Sequence, residues 1–150
     1  MTTITIIGSG NMATAIGTRA AQHGHTVELL SRNTAKAQAL ADQIGHGATV
    51  GTFGARPAGD IVIVAVLYAG AVDAVAHYGD ALAGKILVDI SNPFNADATG
   101  LVTPSSAAQE IAAAAICSDT ELPVVVTSPC ISALNGLVMS MRILPASASP

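Results

Sequence analysis

The chain has 150 residues, a formal net charge of −4, 51% hydrophobic residues and only 11% charged ones. This length suits one domain with a sizeable core, whereas a disordered or coiled-coil chain would need many more charges. The mild acidity and the 3% of aromatic residues argue against a nucleic-acid partner, because phosphate binding needs a basic face and base stacking needs aromatic rings.

Strand and helix patterns alternate along the chain. Short β-branched or unbroken apolar runs predict strands, and longer runs rich in Ala, Gln and Leu predict helices. The predicted strands are 3–7, 26–30, 48–51, 61–66, 86–90 and 122–127. The predicted helices are 11–21, 34–44, 71–78, 105–115 and 133–144. This alternation is typical of parallel strands with right-handed crossovers, so we predict an α/β fold with a doubly wound parallel sheet.

The final third of the chain differs in composition. Residues 122–141 carry no charge, but Pro123, Pro129 and Gly136 make this run too broken for a membrane-spanning helix. The first residues lack the basic region of a signal peptide, so we expect a cytoplasmic protein that does not contact a membrane. Cys117 and Cys130 lie in no CxxC or Cys/His pattern, which predicts reduced thiols and no metal site.

The turn after the first strand carries glycines at a spacing that is typical of nucleotide sites. Its residues are Gly8, Ser9, Gly10, Asn11, Met12 and Ala13. The pattern GxGxxA between a strand and a helix is the dinucleotide fingerprint of a Rossmann-type sheet. Its first glycine allows the tight turn, its second lets the pyrophosphate approach the backbone, and its alanine packs the helix against the strand. We therefore predict that the first five of these residues bind a dinucleotide at the positive end of the helix.

The end of the second strand indicates which dinucleotide is bound. An NAD-selective site usually has Asp or Glu there, whereas this chain has Ser31, Arg32 and Asn33, with Lys36 one turn into the next helix. A hydroxyl group and two cations form a pocket for a 2′-phosphate, because Arg binds phosphate through two parallel hydrogen bonds and Lys adds a point charge. The pattern favours NADP(H), and the alternative is that Arg32 and Lys36 are ordinary solvated charges.

Two further loops are predicted to line the same edge of the sheet, because nucleotides bind beyond the carboxyl ends of parallel strands. Val66, Leu67 and Tyr68 follow the fourth strand, where they would cover the adenosine or ribose side. Asn92 and Pro93 follow the fifth strand and would face the nicotinamide end, although this pair is also typical of a plain turn. No histidine lies in a metal or triad pattern, so the residues identify no catalytic group.

Three of these segments together resemble a known family. The turn 8–13, the run Ser31-Arg32-Asn33 and the run Val88-Asp89-Ile90-Ser91-Asn92-Pro93 are similar to the NADP-binding domain of coenzyme F420-dependent NADP oxidoreductases. The resemblance implies that Ser31, Arg32 and Lys36 contact the 2′-phosphate. It also implies an oxidoreductase that transfers a hydride between NADPH and the deazaflavin F420, in which the cofactors carry the chemistry and the protein aligns them.

Two neighbouring families share part of the pattern. Pyrroline-5-carboxylate reductases usually continue from the fourth strand into Lys-Pro, where this chain has Leu67-Tyr68-Ala69. The reductase domain of STEAP-type ferric reductases is similar and is joined to a membrane portion that this sequence lacks. Two alternatives therefore stay open: an NADP(H)-binding module without its own activity, and an NADPH-dependent reductase of a flavin, ferric ion or imine.

The resemblance covers about residues 3–116 and divides the chain into an NADP-binding domain, 1–116, and a divergent tail, 117–150. The family continues with a Lys-Ala-Phe-Asn-like segment, whereas this chain continues as Val124-Val125-Val126-Thr127-Ser128-Pro129-Cys130. A frameshift or truncation would produce such a change, and the coding DNA tests that hypothesis. A dimer is common in the family, often built through its C-terminal part, so the resemblance allows a homodimer, whereas loss of that part would work against one.

Overall fold

The computed structural model describes residues 1–92, 100, 107–114 and 124–127. Within them, strands and helices alternate as the sequence predicts. The strands are β1 Thr3–Ile7, β2 Thr26–Leu30, β3 Thr49–Val50, β4 Ile61–Val64, β5 Ile86–Asp89 and β6 Val124–Thr127. The helices are α1 Asn11–Gln22, α2 Thr34–Ile44, α3 Tyr68–Tyr78 and α4 Ala107–Ala114, with a 3-10 turn at Gly79–Leu82.

All six strands run parallel in one sheet, in the order β3-β2-β1-β4-β5-β6. The chain therefore builds the sheet outward from β1 in one direction, and then returns to the other side of β1 with β4. This reversal between β1 and β4 is the switch point of a Rossmann-type sheet. The predicted fold class is confirmed.

Apolar side chains cover both faces of the sheet, because successive residues of a strand point in opposite directions. Ile6 lies in a cluster that includes Ala13 and Ala37 from α1 and α2, whereas Ile7 lies in a cluster with Val75 of α3 and Ile111 of α4. The helices thus flank the sheet in two pairs. This layering explains why β4 is a continuous apolar run.

The predicted limits of the fourth strand and third helix were wrong. β4 ends at Val64, two residues before the predicted limit, and α3 begins at Tyr68, three residues early. Ile7 pairs with Val64 and accepts a hydrogen bond from the Ala65 N–H at 2.8 Å, after which β1 turns away at Gly8. Beyond this hydrogen bond, residues 65 and 66 have no strand residue of β1 to pair with, although they are apolar.

Smaller differences occur elsewhere. β3 contains two residues of the predicted four, and β5 ends at Asp89 where 86–90 was predicted. Several predictions lie outside the described residues: the contacts of Pro93, the state of Cys117 and Cys130, the helix 133–144, and most of the tail 117–150. Among the helices that the structure describes, none is long and apolar enough to cross a membrane.

Candidate nucleotide-binding site

The predicted binding residues come together at the carboxyl edge of the sheet. They lie in the loops that follow β1, β2, β4 and β5, which are consecutive strands in the sheet order. A crevice at this edge is where open α/β sheets bind ligands. The structure therefore places all four segments at one edge of the sheet, apart from Pro93, which lies outside the described residues.

Gly8 is required by the fold itself. Its φ is +132°, which favours glycine, and its N–H donates to the Leu30 carbonyl oxygen at 2.8 Å. A Cβ atom here would lie 2.3 Å from the carbonyl oxygen of Ala65. The first glycine of the fingerprint thus allows the loops after β1 and β4 to touch.

Gly10 differs from Gly8 because nothing in the described protein requires a glycine there. Its φ is −97°, which any residue adopts, and a Cβ atom would meet no protein atom within 4 Å. Gly10 is exposed and precedes α1 as its N-cap, without a side-chain capping hydrogen bond. The first N–H groups of a helix carry a partial positive charge and attract anions. The open space at Gly10 therefore gives a ligand direct access to this backbone.

Ser9 and Ser31 join the first turn to the end of β2. Their Oγ atoms lie 3.1 Å apart, and the Ser31 Oγ also accepts a hydrogen bond from the Asn33 N–H at 3.2 Å. The two hydroxyl groups, which the sequence separates by 22 residues, therefore form a direct polar contact between the two loops.

The start of α2 concentrates positive charge. The Asn33 Oδ1 accepts from the Lys36 N–H at 2.9 Å, so Asn33 is the N-cap of this helix, and no acidic residue lies in its first turn. The side chains of Arg32 and Lys36 are exposed, and they form no ion pair with any described residue. Cations at a helix N-terminus repel the helix dipole. An anion bound here would relieve this repulsion.

The loop between β4 and α3 presents apolar surface. Val66 is half-buried, and its Cγ1 lies 3.3 Å from the Cβ position of Gly8. Leu67 is 86% exposed, and Met12 in the first turn of α1 is 57% exposed. The Tyr68 hydroxyl donates to the Glu110 Oε2 of α4. The loop thus offers an apolar surface beside the glycine-rich turn.

The end of β5 carries a buried acid. Asp89 is 2% exposed, and its Oδ1 accepts from the Ser91 N–H at 2.8 Å. Burial raises the pKa of the Asp89 carboxyl group above its usual range, and the hydrogen bond from the Ser91 N–H acts in the opposite direction. Asn92 is exposed at the same end of the strand.

Sequence reasoning missed two contributors to this edge. The Ala65 carbonyl oxygen restricts Gly8, and Glu110 binds the hydroxyl of Tyr68. A backbone oxygen leaves no signal in residue type. Glu110, however, is an acidic residue in an otherwise Ala-rich helix, which is a weak signal that its side chain has a specific partner.

Comparison with known proteins gives a consistent result. Residues 3–93 match the family described as NADP oxidoreductase, coenzyme F420-dependent. No curated protein sequence matches the chain.

Several solved structures share the fold. The chain is 23% identical, with a TM-score of 0.70, to a protein from Arthrobacter sp. FB24 whose inferred activity is that of an F420-dependent NADP-reductase. A hypothetical protein from Sinorhizobium meliloti gives 27% identity and a TM-score of 0.66. An imine reductase from Myxococcus stipitatus, solved in complex with NADP+, gives 25% identity and a TM-score of 0.58.

The matches leave part of each relative uncovered. They include 85% of this chain and 62% of the Arthrobacter protein, 85% and 60% for the Sinorhizobium protein, and 83% and 40% for the imine reductase. The chain therefore spans less than two thirds of the length of each of these relatives.

Proposed function

The chain belongs to the family of coenzyme F420-dependent NADP oxidoreductases, and on that premise we propose that it binds NADP(H) and transfers a hydride between NADPH and coenzyme F420. The observation that carries this proposal is the cationic start of α2 beside the glycine-rich turn. Arg32 and Lys36 are exposed there without an ion-pair partner among the described residues, and Ser31 stands where an NAD-selective site has an acid.

The residues of the first two loops suit the phosphates of NADP(H). Ser31, Arg32 and Lys36 would hold the 2′-phosphate, because a charge-assisted hydrogen bond contributes about 1.5–3 kcal/mol. The backbone from Gly8 to Met12 would hold the pyrophosphate, with Gly10 leaving the helix N-terminus open. One anionic group of the dinucleotide would thus lie at the start of α1 and another at the start of α2.

The remaining loops suit the uncharged parts of the dinucleotide. Val66, Leu67 and Tyr68 would contact the adenosine or ribose side, and Asn92 with Pro93 would lie toward the nicotinamide end. When bound, NADPH supplies the hydride and F420 accepts it, so the protein has to orient two cofactors and supply no nucleophile. The exposed apolar side chain of Leu67 would shield the adenosine or ribose side from water.

One specific observation favours a second acceptor. An imine reductase solved with NADP+ is as similar in sequence as the F420-linked relative. A reductase of an imine, a flavin or ferric ion would use the same NADPH site with a different acceptor surface. An NADP(H)-binding module without its own activity would use the site alone.

A hydride-transfer assay tests the proposal directly. The full chain is mixed with NADPH under anaerobic conditions, and the absorbance of the nicotinamide and of F420 is followed together. Equal consumption of both supports the proposed reaction. Consumption of NADPH only with an imine, flavin or ferric acceptor would assign the second function. Binding of NADPH without hydride transfer to any acceptor would support the binding module without its own activity.

A further inference from the structure

The hydroxyl group of Tyr68 forms a specific bond across two helices. It donates to the Glu110 Oε2, 42 positions later in the chain, and both side chains are half-buried. Tyr68 is the first residue of α3, which has no side-chain capping hydrogen bond, and Glu110 lies in the first turn of α4. A hydrogen bond from a hydroxyl group to a carboxylate is charge-assisted and stronger than a neutral one.

The apolar contacts described between these helices carry little directional information. Ala71 and Val75 of α3 lie with Ile111 of α4 in one apolar cluster. Hydrophobic burial is non-directional, and small side chains such as alanine interlock little with a neighbouring helix. Apolar packing therefore holds the helices together without fixing how far one slides along the other, and the bond from Tyr68 to Glu110 supplies that reference point.

The position of this bond connects it to the nucleotide site. Tyr68 directly follows Val66 and Leu67, and the backbone at residue 65 touches Gly8. The loop after β4 is thus attached on one side to the glycine-rich turn. On its other side it is attached through Tyr68 to α4. A shift at Tyr68 would move Leu67 and disturb the contact with Gly8.

We propose that Tyr68 and Glu110 are positioning residues that hold the loop between β4 and α3 in its NADPH-binding conformation. This inference rests on the proposed function, because it assigns the bond a role in the same site. In this role Glu110 holds the hydroxyl group of Tyr68 in place, and the aromatic ring of Tyr68 would lie beside the nucleotide. If the bond served folding alone, its removal would lower the free energy of unfolding and leave the NADPH affinity unchanged.

A double-mutant cycle tests the proposal in the full chain. NADPH affinity is measured for Tyr68→Phe, Glu110→Ala and the double variant, and urea unfolding is measured without ligand. Loss of one hydrogen bond is expected to raise the Kd for NADPH by about fivefold. The double variant is expected to bind no more weakly than the weaker single variant, because both remove the same interaction. Glu110→Gln keeps a neutral acceptor and is expected to lose less affinity than Glu110→Ala.

Tyr78→Phe is the matched control, because Tyr78 is buried at the opposite end of α3. It makes the same chemical change and is expected to leave the Kd for NADPH unchanged. Single variants that bind NADPH like the wild type, or losses that simply multiply in the double variant, would overturn the inference. If the wild-type chain itself fails to bind NADPH, the proposed function falls and the inference falls with it.

Discussion

The two edges of the parallel sheet treat their polar groups differently. Toward the amino edge, the segment before β4 bonds to polar side chains in the middle of β1 and β2. Glu28 Oε2 accepts from the Thr5 hydroxyl at 2.7 Å and from the Ala58 N–H at 2.9 Å, and the Gly59 N–H donates to the Thr5 Oγ1 at 2.9 Å. Lys85 pairs with Asp60 at 3.3 Å. These groups satisfy one another and tie β1, β2 and β4 together.

At the carboxyl edge, several groups face outward. Arg32 and Lys36 have no ion-pair partner within the described part of the chain, Gly10 borders open space, and Leu67 is 86% exposed. Buried polar groups normally find protein partners, and exposed apolar clusters often mark ligand sites. The amino edge thus uses its polar groups to hold the fold together, whereas the carboxyl edge leaves charged and apolar groups exposed, as the proposed nucleotide site requires.

The largest expected effects come from one glycine at each edge. A Cβ atom on Gly59 would lie 2.7 Å from the Thr3 carbonyl oxygen and from the Thr5 nitrogen, which are backbone atoms of β1. Gly59→Ala is therefore expected to lower the free energy of unfolding by about 3 kcal/mol. Urea denaturation measures this change.

Gly10→Ala is expected to show the opposite pattern. It should lower the free energy of unfolding by about 1 kcal/mol or less, because alanine is a poorer N-cap than glycine. It should raise the Kd for NADPH at least about tenfold, because the added methyl group blocks the pyrophosphate. The distinction between the two edges would be contradicted if Gly10→Ala strongly lowered the free energy of unfolding and left the Kd for NADPH unchanged.

A smaller effect is expected from Thr5→Val, which keeps the shape of the side chain and removes its hydroxyl group. Thr5 is fully buried, so the Gly59 N–H loses its acceptor. The expected loss in the free energy of unfolding is about 2 kcal/mol, with no change in NADPH affinity. Thr3→Val on the same strand is the control and should change stability by less than about 0.5 kcal/mol. A weakened Kd for NADPH would show that the amino edge is not purely structural.

The smallest effect concerns Asp89, a buried acid near the open edge. Burial raises its pKa in the folded protein, so the stability present at low pH is partly lost as pH rises through that raised pKa. Asp89→Asn is neutral at every pH and keeps an oxygen to accept from the Ser91 N–H. Urea unfolding from about pH 3 to pH 7 should therefore show that the free energy of unfolding of the variant increases, relative to that of the wild type, as pH rises. A free energy of unfolding that increases with pH in the wild type relative to the variant would contradict this account.

The sequence predicted the order of strands and helices well, because β-branched runs such as 3–7 and 26–30 pair over their full length. It failed where pairing, and not residue type, decides the limit. Ala65 and Val66 continue an apolar run, but β1 has already turned at Gly8, so no partner strand remains. The start of α3 at Tyr68 has no capping residue before it, since Leu67 occupies the N-cap position.

The candidate site was predictable where one loop carries the pattern. The glycine-rich turn and the run from Ser31 to Lys36 were identified from spacing and charge. Contacts between distant segments were not predictable in this way. The bond from Tyr68 to Glu110 and the hydrogen bonds around Thr5 depend on which helices and strands become neighbours. The spacing of residues along the chain does not indicate directly which elements are adjacent.

The most direct test of the NADP(H) site is a parallel titration of NADPH and NADH with the wild type, Arg32→Glu and Arg19→Glu. Arg19 is an exposed cation in the last turn of α1, away from the carboxyl edge, and serves as the matched control. The wild type is expected to prefer NADPH, and Arg32→Glu to weaken NADPH binding by at least about tenfold with little change for NADH. Arg19→Glu should change neither. Equal loss of both dinucleotides in Arg32→Glu, or a wild type that does not distinguish them, would contradict the assignment of a 2′-phosphate site at the start of α2.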